Sequence, residues 1–453
     1  MERTDNLILR SSSSADTTPE MGILLGHALA QEFKRVVIGM DLMKSSPMMK
    51  DAVISGLLSS GTDVIDIGVV SGPVAAYAAR MGDCCVYVTE FRQPELVSGY
   101  LLINKDGSYF GQDQVRHIVE VAKLKHVISD YNTLGVLKIY HDAIFDYNKK
   151  LIEKADGIQG GSVVLNCNCG LGTDSAPQIM NQIGTDVIAI NAQKDRNFVS
   201  NSLSTKEADI RHMKALVESN AGLMGISLNR IGTLQRVFDE SGVPLTDEQV
   251  LALIILYLRP EKIVVPMDMT WFIKEIFSGN AAVEINTPHP NPDPEKMEFI
   301  VAKPNAGSVV KAMRESGADI GYYDGGIIYS DISYSPDAMM TSIAIAQISA
   351  TNNIGSLVEQ FQEFYSERKA YKLSCSHEDF TRMVDSNMED VNPTKVTEDE
   401  CWRVDMAGGG FYMAFDPDIE DSVNVIAESN DKLYLISLIE VIDGLMEKCV
   451  NGQ

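Results

Sequence analysis

The chain has 453 residues, of which 45% are hydrophobic and 22% charged, and this length exceeds what a single hydrophobic core supports. Its formal net charge of −25, with no basic stripe, argues against nucleic-acid and anionic-membrane partners. No apolar run approaches the ~20 residues of a membrane-spanning helix, and the seven scattered cysteines favour reduced thiols. The sequence therefore predicts an acidic cytoplasmic protein with several domains.

Strand-like and helix-like segments alternate along most of the chain. The pattern begins with a strand over 36–39 and a helix over 47–60, restarts near residue 143 and again near residue 262, and fades after about residue 371. Such alternation is typical of βαβ units around a largely parallel sheet. Three repeats and a distinct C-terminal domain follow, with the predicted boundaries 1–142, 143–258, 259–370 and 371–453.

Each of the three repeats contains a strand that opens into a polar loop, after Val88, Ile226 and Tyr323. In open α/β sheets, ligands bind at the carboxyl ends of the strands. We therefore expect these three junctions and the C-terminal domain to surround one central cleft.

The segment 86–107 carries the most informative pattern. It reads as an apolar strand, a polar turn containing Pro94, and a second strand ending in a turn at 105–107. With Thr89 and Gly99 also in register, it resembles the catalytic segment T-A-S-H-N-P-x-x-x-N-G-x-K of the α-D-phosphohexomutases, which include phosphomannomutase and phosphoglucomutase. In that family, the serine carries the transferable phosphate.

Further segments resemble the family in the same order and extend the resemblance over nearly the whole chain: 36–41, 54–58, 63–68, 163–172, 190–193, 307–313 and 325–326. The resemblance implies an α/β fold with the four-domain phosphohexomutase architecture, in which three mixed-sheet βαβ repeats and a smaller C-terminal α+β domain surround a central cleft. It also implies carbohydrate metabolism, intramolecular phosphoryl transfer and a Mg²⁺ ion.

The position of the catalytic serine is occupied by Phe91, within the predicted loop 89–94. A phenyl ring has no atom that can carry a phosphoryl group. Arg92 follows, where the family has histidine, and Ser98 lies seven residues further on, which at strand spacing is too far to substitute. The sequence therefore predicts no phosphoserine, and we interpret Phe91 as an apolar plug in the cleft.

The family's metal loop, D-G-D-A-D-R, corresponds to residues 229–234. Asn229, Ile231 and Thr233 occupy its three aspartate positions. Because Mg²⁺ needs hard oxygen ligands, we predict no metal site here, and no cofactor unless the family activity persists. Arg230 either places a positive charge beside a ligand phosphate or is a solvated loop residue.

The two remaining family loops have also changed. The sugar loop, G-E-x-N-G-G in the family, is 321–326 here, with tyrosines in place of carboxylates and with Asp324 as either a hydrogen-bond acceptor or a turn residue. The phosphate loop, R-P-S-G-T-E-P in the family, is 415–421 here, where the arginine is lost and new carboxylates should repel phosphate. The candidate ligand-binding residues are Arg10, Arg92, Arg230, Lys303 and Asp324.

These observations leave two functions open. The first is a pseudoenzyme, a non-catalytic member of the superfamily with a binding, regulatory or scaffolding role, alone, as a homo-oligomer or with an active paralogue. The joint change of all four loops favours it. The second is a divergent enzyme, such as an intramolecular phosphotransferase, that acts on a sugar phosphate in the same cleft. The sequence names neither the ligand nor the oligomeric state.

Overall fold

The computed structural model describes a large part of the chain, in these ranges: 8–9, 18–93, 95–124, 128–197, 207–220, 223–269, 273, 283, 285–289, 297–323, 325–361, 364–388, 394–396, 401–406, 408–415 and 421–450. Four β-sheets follow one another along the chain. Within the described ranges, every helix is too short or too polar to cross a bilayer.

The first sheet has the strands β1 (Ile8–Leu9), β2 (Arg35–Met40), β3 (Asp63–Val69), β4 (Cys84–Gln93), β5 (Glu95–Asn104) and β6 (Leu137–Ile139). Its helices are α1 (Pro19–Glu32), α2 (Ser46–Ser59), α3 (Gly72–Ala78) and α4 (Gln112–Ala122). The strand order is β1-β5-β4-β2-β3-β6, with a parallel centre and with β5 and β1 added antiparallel at one edge.

The β4–β5 hairpin is longer than the sequence predicts. Its register runs without a shift from Cys84 opposite Asn104 to Gln93 opposite Glu95. Residues 89–93 of the predicted loop 89–94 therefore belong to β4. Their sequence is polar and turn-like, but cross-strand pairing with β5 extends the strand through them. Cys84, at the start of this hairpin, is buried.

The second sheet has the strands β7 (Val163–Asn166), β8 (Val187–Ile190), β9 (Met224–Leu228) and β10 (Gln235–Phe238). Its helices are α5 (Ala143–Lys154), α6 (Ala176–Gln182), α7 (Glu207–Ser219) and α8 (Asp247–Leu258). The order is β10-β9-β7-β8, with β10 antiparallel to three parallel strands. A capping box of Thr246 and Gln249 begins α8, which is buried along most of its length.

The third sheet has the strands β11 (Lys262–Pro266), β12 (Glu298–Ala302), β13 (Ile320–Tyr323), β14 (Gly326–Tyr329) and β15 (Ser333–Pro336). Its helices are α9 (Ala306–Ser316), α10 (Ala338–Ser349) and α11 (Ile354–Glu359). β11, β12 and β13 are parallel and β14 and β15 are antiparallel. A helix over 270–277 and a strand over 282–285, both predicted from the sequence, fall largely outside the described residues.

The fourth sheet is antiparallel and has the strands β16 (Tyr365–Lys372), β17 (Thr394–Val396), β18 (Cys401–Met406), β19 (Gly409–Phe415) and β20 (Ser422–Ser429). Two helices accompany it, α12 (His377–Met388) and α13 (Lys432–Val450). Three mixed sheets and one α+β unit confirm the predicted fold class. The domain boundaries stay predictions.

One continuous hydrophobic core joins the first three sheets, whereas the fourth has a core of its own around Phe380 and Trp402. Polar contacts also cross between the units. The Tyr147 hydroxyl of α5 donates to the buried carboxylate of Asp337, which caps α10, and Arg314 of α9 pairs with Asp106 after β5. The first three units therefore hold one another in fixed positions.

Candidate functional site

Asp41 follows β2 directly and is buried. Its carboxylate accepts hydrogen bonds from the hydroxyls of Thr89 at 2.9 Å and Ser46 at 2.5 Å, and from the backbone N–H of Met43 at 2.9 Å. A buried carboxylate is costly unless it is hydrogen-bonded, so this cluster fixes the hairpin strand β4 to β2 and to the start of α2. Sequence reasoning missed Asp41; its place immediately after a buried strand was the available signal.

Positions 91 and 92 lie within β4, opposite Val97 and Leu96. The side chains of Phe91 and Arg92 are outside the described part of the structure, so the predicted plug stays a prediction. Ser98 lies opposite position 90, and its hydroxyl contacts that of Ser45. The expectation that Ser98 is distant from position 91 is wrong, because the hairpin folds the chain back on itself.

The loop after β9 closes on itself through Asn229. Its side-chain oxygen accepts the backbone N–H groups of Thr233 at 2.9 Å and Leu234 at 3.2 Å, and its amide nitrogen donates to the Thr233 hydroxyl at 2.9 Å. Gly232 permits the turn with a φ of +75°. At two of the family's three aspartate positions, 229 and 233, the side chains are thus hydrogen-bonded within the loop itself.

The donor set of this loop does not fit Mg²⁺. The ion prefers near-octahedral oxygen ligands, usually carboxylates, waters and substrate phosphates. Here Ile231 offers no donor atom, and the oxygens of Asn229 and Thr233 already accept hydrogen bonds. Within the described ranges, no group of three or more His, Cys, Asp or Glu side chains is placed to hold a metal ion.

Arg230 lies where the first two units meet. Its carbonyl accepts the N–H of Leu171 at 2.7 Å, and the next carbonyl, of Ile231, accepts the N–H of Gly72 at 2.8 Å. A space of about 10 Å³ is enclosed there by Asp41, Leu42, Leu171, Arg230 and Ile231. This volume is close to the minimum for one water molecule. The structure therefore brings Arg230 to the same junction as Asp41, at the carboxyl ends of β9 and β2.

The predicted sugar loop 321–326 joins β13 to β14. Tyr322 is 7% exposed, and its hydroxyl accepts the N–H of Gly325 at 3.0 Å. Burial raises the pKa of Tyr322 well above its usual range, so the phenol stays neutral. This tyrosine therefore closes the turn from inside. Asp324 lies outside the described residues.

Residues 416–420 of the predicted phosphate loop also lie outside the described residues, but its two ends are defined. The Phe415 ring stacks on the His377 ring with 4.1 Å between centroids. The same histidine places Nε2 3.7 Å from a carboxylate oxygen of Asp421. Both ends of the loop thus meet at the start of α12.

The candidate basic residues divide into two groups. Lys303 is partly buried and directly follows β12, as Arg230 follows β9, so both occupy the carboxyl end of a parallel strand. Arg10 and the side chain of Arg92 lie outside the described part of the structure. The predicted ligand-binding set therefore stays a prediction, with two members at the expected edge of their sheets.

Comparisons with known proteins agree with this architecture. Residues 8–126 match the family described as phosphoglucomutase/phosphomannomutase, alpha/beta/alpha domain I. The probable phosphoglucosamine mutase of Methanosarcina barkeri (strain Fusaro / DSM 804) is 27% identical over 435 residues, which are 94% of this chain and 94% of that protein. A phosphoglucomutase/phosphomannomutase family protein from Burkholderia thailandensis shares the fold with a TM-score of 0.79 at 17% identity, covering 98% of this chain and 96% of that one.

A third comparison concerns the metal ion. The N-acetylphosphoglucosamine mutase of Aspergillus fumigatus was solved in complex with GlcNAc-6P and magnesium, and it matches with a TM-score of 0.51 at 12% identity over 91% of this chain and 82% of its own. Together with relatives named phosphoglucosamine mutases, this overturns the expectation that no cofactor accompanies the chain. That expectation was based on the side chains of one loop, 229–234. Mg²⁺ can also take oxygen ligands from substrate phosphates and from water.

The matches are distributed over the chain in a consistent way. The family model covers the first unit, the Methanosarcina relative aligns over 94% of both chains, and the Burkholderia structure shares the fold over 98% of this chain. Residues 8–126 belong to the phosphoglucomutase/phosphomannomutase domain I family, and over nearly its whole length the chain is similar to the α-D-phosphohexomutases.

Proposed function

We propose that this protein is a divergent enzyme of the phosphohexomutase superfamily that acts on a hexose or hexosamine phosphate in its central cleft. The observation that carries the proposal is the extent of the similarity: a relative named as a probable phosphoglucosamine mutase aligns over 94% of both chains. All four sheets that would surround such a cleft are present.

The placement of basic side chains supports a phosphate-bearing ligand. Arg230 and Lys303 lie at the carboxyl ends of β9 and β12, the edge at which α/β sheets bind ligands. A guanidinium group can offer two parallel hydrogen bonds to phosphate oxygens, and a lysine adds a compact charge. In a chain with a net charge of −25, such local cations are what a phosphate needs to bind.

Phosphoryl transfer through residue 91 is ruled out by chemistry, because phenylalanine has no oxygen to form a phosphoester. A mutase reaction on this scaffold would therefore need another acceptor for the phosphoryl group. The Ser98 hydroxyl, across the hairpin from position 90, is one candidate acceptor. It contacts Ser45 and is partly buried.

A second candidate function is a pseudoenzyme that binds the same ligand class without turnover. The self-closed loop at Asn229 and the loss of the serine at position 91 favour it. Such a protein would act by binding, as a homo-oligomer or together with an active paralogue. In either case we expect a cytoplasmic location, which suits the lack of disulfide bonds among the six cysteines that the structure describes.

The test is a ³¹P NMR time course with the purified protein. Glucosamine 6-phosphate, glucose 6-phosphate and mannose 6-phosphate are each incubated with glucose 1,6-bisphosphate and Mg²⁺, and the 1-phosphate signal is followed. Arg230→Ala is the test variant. Arg116→Ala, an exposed arginine on α4, is the matched control.

Formation of a 1-phosphate that is lost in Arg230→Ala and retained in Arg116→Ala supports the enzyme. Ligand binding by the parent protein without any 1-phosphate, weakened only in Arg230→Ala, supports the pseudoenzyme and refutes the enzyme. The absence of both turnover and binding for all three sugar phosphates refutes both. Phosphopeptide mapping after the incubation shows directly whether Ser98 carries phosphate.

A further inference from the structure

A pocket of about 280 Å³ lies apart from the cleft-facing edge of the sheets. One wall is the end of α3 and the turn after it, from Tyr77 to Met81, which leads into the start of β4. Asp41, by contrast, directly follows the carboxyl end of β2, and its partner Thr89 lies in the second half of β4. The pocket is therefore at the opposite edge of the first sheet from the candidate functional site.

A second wall is one face of α5. Its lining residues Asp146, Lys149, Lys150 and Glu153 recur at spacings of three and four, which places them on the same side of the helix. The third unit closes the junction: Lys150 reaches Asp331 at 3.6 Å between Nζ and Oδ2. The first two units thus line this pocket, and Lys150 connects it to the third unit through Asp331. A ligand bound there would contact the elements that hold these units together.

Arg80 is held rigidly beside this space. Its guanidinium carbon lies 3.8 Å from the centroid of the Tyr77 ring, Nε donates to the Tyr77 carbonyl at 2.7 Å, and one terminal nitrogen donates to the carbonyl of Ile332. The other terminal nitrogen, Nη1, makes no hydrogen bond among the described residues. A guanidinium that is already ordered loses little further entropy when it binds an anion.

The remaining charges define the chemistry of the ligand. Lys149 is 67% exposed and only loosely paired, with 3.9 Å between its Nζ and Glu153. With Arg80 and Lys150 it supplies three cations against the two carboxylates of the lining, Asp146 and Glu153. Asp146 and Glu153 accept hydrogen bonds and would repel a ligand that is anionic throughout.

We propose that this pocket binds a small phosphorylated metabolite with hydroxyl or amino groups beside its phosphate, at a site separate from the central cleft. The phosphate would lie against Arg80, Lys149 and Lys150, and the hydroxyl or amino groups would donate to Asp146 and Glu153. A volume of about 280 Å³ suits a ligand of monosaccharide size. This inference does not depend on the proposed function, because it concerns a different surface.

The experiment compares two charge reversals on exposed helix lysines. Lys149→Glu changes the pocket. Lys123→Glu, at the C-terminal cap of α4, is matched to it in exposure, 65% against 67%, and in pairing with a glutamate of the adjacent helix turn. Both proteins and the parent are titrated with glucosamine 6-phosphate, inorganic phosphate and unphosphorylated glucosamine by isothermal titration calorimetry. Hydrogen exchange with mass spectrometry then locates the protected segments.

We expect glucosamine 6-phosphate to bind the parent and Lys123→Glu equally and to bind Lys149→Glu about tenfold more weakly, with inorganic phosphate weaker and glucosamine weakest. Protection should appear at 77–81 and 143–153. Lys149→Ala, which removes the charge without adding a new one, should fall between the two. Equal affinities of the two glutamate variants, or protection restricted to 227–234 in the cleft, would overturn the proposal.

Discussion

The hydrogen bond between Tyr147 and Asp337 allows a sharp test of how the second and third domains are joined. Both residues are buried, and the tyrosine hydroxyl lies 2.8 Å from each carboxylate oxygen of Asp337. The same carboxylate accepts the N–H groups of Met339 and Met340 at 3.0 Å and thereby caps α10. Tyr147→Phe removes one donor and leaves the volume of the core nearly unchanged.

The effect of this substitution should depend on pH. Burial raises the pKa of Asp337 from 3.8 to about 6, while the tyrosine hydroxyl and the two N–H groups act in the opposite direction. Because the folded pKa is raised, the stability linked to this group is fully present below pH 3.8 and is lost as pH rises through about 6. The hydroxyl limits that loss, since it stabilises the ionised form.

Tyr147→Phe should therefore lower the free energy of unfolding by about 1.5–3 kcal/mol at pH 8, where a charged acceptor loses its donor, and by about 0.5–1.5 kcal/mol at pH 5. Urea unfolding followed by circular dichroism at both pH values measures the difference. Tyr329→Phe is the control, because that buried hydroxyl bonds to the neutral Thr341. Equal costs of Tyr147→Phe at pH 5 and pH 8, or the same pH dependence in Tyr329→Phe, would refute the reasoning.

Two further predictions concern loops. The triple variant Asn229→Asp, Ile231→Asp and Thr233→Asp should restore three carboxylates and bind Mg²⁺ more tightly than the parent protein does, as measured by calorimetry. No gain in Mg²⁺ affinity would show that the backbone of the loop also has the wrong shape. Gly107→Ala should cost about 3 kcal/mol in urea unfolding, because its Cβ would lie 2.6 Å from a side chain of the third domain at a φ of +89°. Gly157→Ala, at a φ of +67° in open space, should cost only about 1 kcal/mol, and equal costs would contradict the proposed clash.

Much of the fold follows from local pattern, and the exceptions have a physical reason. The βαβ alternation is visible because buried parallel strands are continuous apolar runs, such as Val163–Asn166. The continuation of the hairpin beyond residue 88 cannot be predicted from the local sequence, because its residues are polar and Pro94 suggests a loop. The conformation there depends on pairing with β5, and local strand propensity contains no information about the pairing partner.

The sequence indicates candidate site residues but not their contacts. Arg230 and Lys303, which the resemblance to the family singles out, lie at the carboxyl ends of β9 and β12, and their role in binding a ligand stays a prediction. The contact of Tyr147 with Asp337 spans 190 residues of sequence, and the pocket at Arg80 is lined by residues of both the first and the second unit. Contacts of this kind depend on how the folded units are placed relative to one another. Local sequence patterns predict helices and strands but not that placement.

Stability and chemistry rest on different residues in this protein. The contacts between domains are buried and satisfied, as at Asp337, so a change there leaves a buried polar group without its partner and costs about 1–3 kcal/mol. The positions at which the family carries functional residues lie in loops. Asn229 accepts a backbone N–H within its own loop, and the Tyr322 hydroxyl accepts a backbone N–H in another. Substitution at such positions is compatible with an intact fold. The four-domain arrangement can therefore persist while the side chains around its cleft, and hence the reaction or the ligand, change.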